Sequence, residues 1–245
     1  MEVRYQRIVS DPSAAAVIHI QHPDSLPSAL GELDLIESRP TLVLVGGASK
    51  LRETDYQRIK SLFTNVLAPL ADNLGLYVVD GGTDAGIMKI MGQARMAIGA
   101  EFPLVGVAPV DLVNLPNHPT VRPDSTPLEA NHTHCLLVPG DRWGDESPWI
   151  AHVATQLAQD KPSVVVLING GAVTWQDAAA NVRVGRPVIV IQGSGRTADI
   201  LAAAIQGGSV TDERAQPLVD SGLMQVVDLN ESAEVLVDKL QALLC

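Results

Sequence analysis

The 245 residues carry a net charge of -11, with 46% apolar and only 3% aromatic residues. That balance argues against a general nucleic-acid binder and an anionic-membrane binder, since both need a basic footprint. No apolar run approaches the roughly 20 residues that span a bilayer. Two cysteines, Cys135 and Cys245, make no disulfide framework, and MEVRYQRIVSDPSAAAVIHI lacks the basic stretch and apolar core of a secretory signal. A cytoplasmic location is the expectation.

With so few aromatics, the core must be built from Val, Ile, Leu and Ala, the composition of buried parallel strands. In chain order, the apolar runs Thr41–Val45, Leu76–Val79, Leu104–Ala108, Cys135–Val138, Ser163–Ile168, Pro187–Ile191 and Gln225–Leu229 read as strands. Helical patterns separate most of them. Ile59, Leu62, Phe63, Val66, Leu67 and Leu70 share one helix face; Thr54 and Gln57 ahead of it have capping-box spacing, and Pro69 is expected to kink or end the helix. Ile87, Ile90, Met91, Ala94 and Ile98 form a second stripe. Between Val110 and Asn131 the chain is rich in Pro and Asn and reads as a long loop near a ligand.

Ser147 and Pro148 read as the N-cap and first residue of a helix through Leu157, and Thr174 with Asp177 as the cap of the next, which Gly185 and Pro187 end. Thr197 opens a helix that stops at Gly207–Gly208, and the last runs from about Ser232 to Leu243. VIHIQHPDSLPSAL and VVDLNESAEVLVDKL share a strand, cap and helix pattern, and are expected to flank the main sheet. The alternation predicts a Rossmann-like, doubly wound α/β fold: a mainly parallel sheet with helices on both faces. No linker interrupts it, so residues 1–245 are expected to form one domain, with an extension over 1–40, a core over 41–206 and a C-terminal strand and helix over 207–245.

In such a sheet, ligands bind at the carboxyl ends of the strands. The predicted strands are followed by Gly46-Gly47-Ala48, by Gly81-Gly82-Thr83-Asp84-Ala85-Gly86, by Pro109, by PGDRWGDES, by NGG and by QGSGRTAD. Glycine at one strand-to-helix turn is explained by a tight corner. Glycine pairs or near-pairs at several ends on one edge favour a nucleotide or polyphosphate held on backbone amides. The P-loop is excluded, because Ile87 and Met88 stand where Lys and Ser/Thr belong. GSGRTA, residues 193–198, matches the dinucleotide G-x-G-x-x-A pattern, but too little chain follows for the usual βαβαβ half. Its amides and Arg196 still offer a phosphate contact, against the plainer reading of a solvated surface arginine.

Asp84 and Asp199 read equally as helix-dipole partners and as ribose or catalytic groups. His132, His134 and Cys135 invite a metal reading, which no paired Cys motif supports. Trp143 and Trp149 read equally as base-stacking and as packing residues. Ser194 lacks the spacing of a nucleophile elbow.

LVLVGGAS, VVDGGTDAGIMKIMG, LVGVAPVDLVN, HCLLVPGDRWGDES and SVVVLINGGAVTWQDAAANVRVGRPVIVIQGSGRTADILA occur in this order between Thr41 and Ala204. Together they resemble the SLOG superfamily, in the branch found at the cytoplasmic N-terminus of TRPM cation channels, in its free-standing prokaryotic form (LSDAT). The resemblance implies a Rossmann-like fold and a small nucleotide ligand, ADP-ribose or a cyclic or NAD-derived relative, sensed without turnover. It implies phosphate and ribose contacts at Gly47, Ala48, Gly81, Gly82, Thr83, Gly86, Gly193, Ser194, Gly195 and Arg196, with Pro109 and Glu146 lining the same cleft. The related LOG phosphoribohydrolases carry P-G-G-x-G-T-x-x-E, whose glutamate assists departure of the base. Here Asp80 replaces the proline, and Lys89 or its neighbours stand where the glutamate belongs. No catalytic residue, metal or further cofactor is therefore expected; N-glycosidic hydrolysis of a nucleotide is the alternative. A homodimer or a separate effector protein is the expected output, with neither nucleic acid nor membrane as partner.

Overall fold

The structure, a computed structural model, describes residues 15–47, 52–115 and 122–245. Its first half contains β1 (Ala16–His19), α1 (Leu26–Glu32), β2 (Thr41–Gly46), α2 (Glu53–Leu62), α3 (Ala68–Asn73), β3 (Tyr77–Asp80), α4 (Gly86–Ile98) and β4 (Leu104–Pro109). Two short strands, β5 (Val113–Asn114) and β6 (Thr126–Pro127), pair with each other ahead of β7 (His134–Val138). Then follow α5 (Ser147–Ala158), β8 (Ser163–Ile168), α6 (Ala172–Arg183), β9 (Val188–Gln192), α7 (Arg196–Ile205), α8 (Ala215–Asp220), β10 (Met224–Asp228) and α9 (Ala233–Leu244).

Eight strands form one sheet in the order β1-β7-β4-β3-β2-β8-β9-β10, and every neighbouring pair is parallel. All seven aliphatic runs are strands, and the two echoing segments supply β1 and β10 at opposite edges. Alternate side chains of each strand point to opposite faces. Val43, Val45, Val165 and Val190 pack with α1, α5, α6, α7 and α8, whereas Leu42, Leu44, Val166 and Ile189 pack with α2, α3, α4 and α9. A sheet covered on both faces is the doubly wound architecture expected from its composition. Strands β3, β4 and β7 lie on one side of β2, and β8, β9 and β10 on the other, so strand order reverses between β2 and β8.

Helix starts differ from expectation. Arg52 caps α2 and no side-chain capping bond forms, so Thr54 and Gln57 make no capping box. Glu53 and Asp55 supply the first turn with negative charge instead, and the Asp55 carboxylate accepts from Arg52 Nε at 2.7 Å. Pro69 does not end the helix. Residues Phe63–Leu67 widen into a π-turn directly ahead of it, which absorbs the clash of a proline ring with the preceding turn and its missing N–H. Ser147 is the first residue of α5 and Thr174 the third of α6, so neither is the N-cap; Glu146 and Gly171 hold those places. On the second stripe Ile98 is left exposed, because α4 ends there on Gly99 in left-handed geometry.

One glycine of the turn after β3 has a purely structural reason. Gly82 has φ +65°, and a Cβ there would stand 2.7 Å from the Cα of Gly106 in β4. The corner-fitting reading therefore holds at this residue, whatever the turn binds. Gly82→Ala is expected to lose at least about 2 kcal/mol of stability, because side chain and backbone cannot both keep their places. Urea unfolding of the variant checks this; an unchanged midpoint overturns the close packing.

Candidate functional site

A cavity of about 310 Å³ lies at the carboxyl ends of β2, β3 and β8, at the reversal of strand order. Leu44 and Gly46 of β2 reach it from the sheet. The turn after β3 and the start of α4 contribute Gly81, Thr83, Ala85 and Met88. From the segment after β7 come Trp143, Glu146 and Ile150, and from the first turns of α6 come Val173, Thr174 and Asp177, with Thr126 of β6 completing the lining. Charge on these described lining residues is acidic alone. Among the described residues no cluster of His, Cys, Asp and Glu suits a metal ion.

The loop after β7 is folded on its own carboxylates. Asp145 accepts from the N–H groups of Asp141 and Arg142 at 3.0 and 3.1 Å, and Glu146 accepts from Gly144 N–H at 2.7 Å. Trp143 donates its indole N–H to Asp124 O at 3.3 Å, which brings the strap around β6 over the cavity. Ser147 donates its hydroxyl to Asp177 at 2.6 Å, tying α5 to α6. Burial pushes the Glu146 carboxyl above the usual range against the pull of the Gly144 N–H. Burial also raises Asp177, to about 7, and the charge of Glu146 adds to this while the Ser147 bond opposes it.

The expected contacts fall into distinct places. Gly81, Thr83 and Glu146 line the cavity. Gly82 lies behind the lining, its N–H bound to Asp80 at 2.7 Å. Gly86 opens α4 beside Ala85. Gly47 N–H bonds Ile168 O at 3.1 Å, and Ala48 lies outside the described residues. Pro109 ends β4 against Gly140 and is not among the lining residues.

The turn after β9 is largely satisfied within the fold. Gly193 N–H bonds Asp199 at 2.7 Å, so Asp199 acts as the dipole partner of its own helix. Ser194 is fully buried; its hydroxyl donates to Ile191 O at 2.6 Å and accepts from Asn169 N–H at 2.7 Å. Asn169 also donates its side-chain amide to Ser194 O at 2.7 Å, locking this turn to the start of α6. Gly195 caps α7. Arg196 brings its guanidinium to 3.1 Å from where a Cβ of Gly171 would stand. Gly171 caps α6, two residues ahead of the cavity-lining Val173.

Several groups were not legible as site residues. Met88, rather than Lys89, faces the cavity near the place of the hydrolase glutamate, and Lys89 pairs with Asp84 outside it. Asp177 and Thr174 line the cavity although their spacing suggested a cap. Both ring nitrogens of His132 are taken by carboxylates: it is buried between Asp80 at 2.8 Å and Glu129 at 2.9 Å, beneath the turn after β3. Nothing local marks these residues, since each depends on an element distant in sequence.

Residues 39–237 match the family described as SLOG in TRPM, prokaryote (LSDAT_prok). The transient receptor potential cation channel subfamily M member 2 of Mus musculus is 25% identical over 180 residues, covering 59% of this chain and 12% of the channel. A subfamily M member-like 2 channel of Nematostella vectensis is 24% identical over 235 residues, covering 80% of this chain and 15% of that protein. This chain thus spans only a small fraction of the length of these relatives, and among its described residues no helix is long and apolar enough to cross a membrane. The crystal structure of TM1055, a structural-genomics target, superposes with a TM-score of 0.54 at 18% identity, covering 83% of this chain and 99% of that one. That likeness concerns the fold alone.

Proposed function

This chain belongs to the prokaryotic SLOG-in-TRPM family, and on that premise we propose that it binds a nucleotide-derived ligand, ADP-ribose or a cyclic or NAD-derived relative, without turnover. The observation that carries the reading is the position of the cavity. It opens where strand order reverses, under the glycine turns of β2 and β3 and beside the N-terminus of α6, the place such sheets reserve for ligands. The phosphates go to the α6 N-terminus, where the positive end of the helix dipole and the Arg196 guanidinium meet. Ligand binding is read out by self-association or by a separate effector protein.

A second reading, N-glycosidic hydrolysis, has one observation in its favour: two carboxyls, both pushed toward the protonated form by burial, share the cavity. The absence of a glutamate at Lys89 or its neighbours, with apolar Met88 turned to the cavity, weighs against it.

Calorimetry with ADP-ribose, cyclic ADP-ribose, NAD and AMP, followed by analysis of the recovered ligands, separates these. The expected result is binding of an ADP-ribose-type ligand at about micromolar affinity, near -8 kcal/mol, with the ligand returned intact. Arg196→Ala is expected to weaken it about tenfold or more, the loss of one charge-assisted contact. No binding of any of the four overturns the proposal, and release of free base converts it into the hydrolase reading.

A further inference from the structure

The cavity itself is unsuited to a phosphate, and this specifies which end of the ligand enters it. Glu146 and Asp177 are 6% and 8% exposed, and both line the cavity. One oxygen of each is engaged by the protein, Glu146 by Gly144 N–H and Asp177 by the Ser147 hydroxyl. A carboxylate has room for further donors on its remaining lone pairs. Thr83 and Thr174 add small polar groups, while Leu44 and Met88 supply apolar wall. A phosphate placed among these groups would meet acidic side chains in a poorly solvated space, an arrangement that repels anions. A group rich in hydroxyl donors would satisfy them.

We infer that Glu146 and Asp177 are the specificity-determining residues of this cavity and that they hold the vicinal hydroxyls of a ribose, leaving the diphosphate outside toward Gly171 and Arg196. The inference rests on the ligand reading above. It explains why the acceptors stand near the starts of two neighbouring helices: Glu146 is the N-cap of α5, Asp177 lies in the second turn of α6, and the Ser147–Asp177 bond fixes their separation. It also predicts a hierarchy of ligands in which an intact sugar diol matters more than an additional phosphate.

The test uses the whole chain and two ligands: ADP-ribose, and ADP-ribose whose diols have been cleaved with periodate and then reduced with borohydride. Affinities are measured by calorimetry for the wild type, Glu146→Gln and Asp177→Asn, with circular dichroism confirming that the variants fold. Tenfold or greater weakening is expected when the diols are opened, and again when Glu146→Gln meets intact ADP-ribose. The substitution and the diol cleavage are expected to be non-additive, with Glu146→Gln changing the affinity of the ring-opened ligand less than threefold. If the wild type binds neither ligand, the broader reading fails. If it binds both equally, or if Glu146→Gln and Asp177→Asn bind intact ADP-ribose as the wild type does, the diol inference alone is overturned. The wild-type comparison needs no substitution and so stands even where a variant misfolds.

Discussion

Replacing His132 with alanine is expected to destabilise the protein by about 3–5 kcal/mol, the range for breaking a buried ion pair from one side. His132 joins Asp80 at the end of β3 to Glu129 in the strap before β7, and all three side chains are essentially inaccessible, at 0%, 0% and 3%. Burial opposes a charged imidazole here, but the two carboxylates outweigh it and raise His132 to about 9. Glu129 is desolvated as well, yet the His132 contact and the Asn131 donors hold it below the usual carboxylate range. Glu129 sits where a Cβ on Gly92 would stand 2.0 Å from its carboxylate, so α4 is notched to receive it. The second oxygen of Asp80 has no partner, which leaves this residue dependent on His132 and on Gly82 N–H.

The sign with pH follows from the raised histidine. Its folded value, about 9, lies above the 6.5 of an ordinary histidine. The stabilisation is therefore fully present below pH 6.5 and is lost as pH rises through 9. Urea unfolding of wild type and His132→Gln at pH 6, 7.5 and 9 reads this directly. The wild type should lose stability across that range and the variant should lose much less; parallel slopes would sink the assignment. The consequence for the site is local. Asp80 also accepts from Gly82 N–H, and Glu129 N–H donates to Gly82 O at 3.0 Å, so the same network fixes the turn that presents Gly81 and Thr83 to the cavity.

That network marks the boundary of what a single sequence discloses. The strands were legible because a strand buried on both faces needs only an aliphatic run, and Ser163–Ile168 declares itself without reference to any other segment. The carboxyl-edge position of the site followed from the order of strands and helices, since parallel connections leave little freedom. The capping residues misled because Ser147 and Thr174 stand near helix starts with suitable chemistry but not at the N-cap: the Ser147 hydroxyl goes to Asp177, thirty residues away, and the Thr174 hydroxyl accepts from the N–H of Gly171, the residue that holds the N-cap. His132 and Asp80 are separated by 52 positions. No periodicity couples them, so His132 read together with its sequence neighbours His134 and Cys135, as a weak metal motif, and not with Asp80 and Glu129. Likewise the glycines of the β3 turn combine two causes. Gly82 answers to Gly106, whereas Gly81 faces the cavity; from sequence both look like one phosphate cradle.

Asp177→Asn is expected to stabilise the protein at pH 8, on the order of 2–4 kcal/mol, and to change little at pH 4. The folded carboxyl sits at about 7 against an ordinary 3.8, chiefly because burial penalises its charge. Between these values the native state keeps a proton that the unfolded chain has released, so stability falls as pH rises through the window and the full penalty is present above it. Asparagine carries no charge to desolvate, and its side-chain oxygen can still accept from the Ser147 hydroxyl, so the tie between α5 and α6 survives. The charge of Glu146, which helps to raise Asp177, carries no repulsion against a neutral asparagine. Thermal unfolding at both pH values checks the sign, and equal stability of variant and wild type at pH 8 would show that Asp177 is not held out of water. A buried carboxyl that the fold is more stable without is retained for something other than packing. The same variant is expected to bind ADP-ribose at least tenfold more weakly, so stability and affinity should move in opposite directions at one residue. That opposition distinguishes a group kept to meet a ligand from one kept to join two helices, because removing a purely structural contact lowers stability and affinity together.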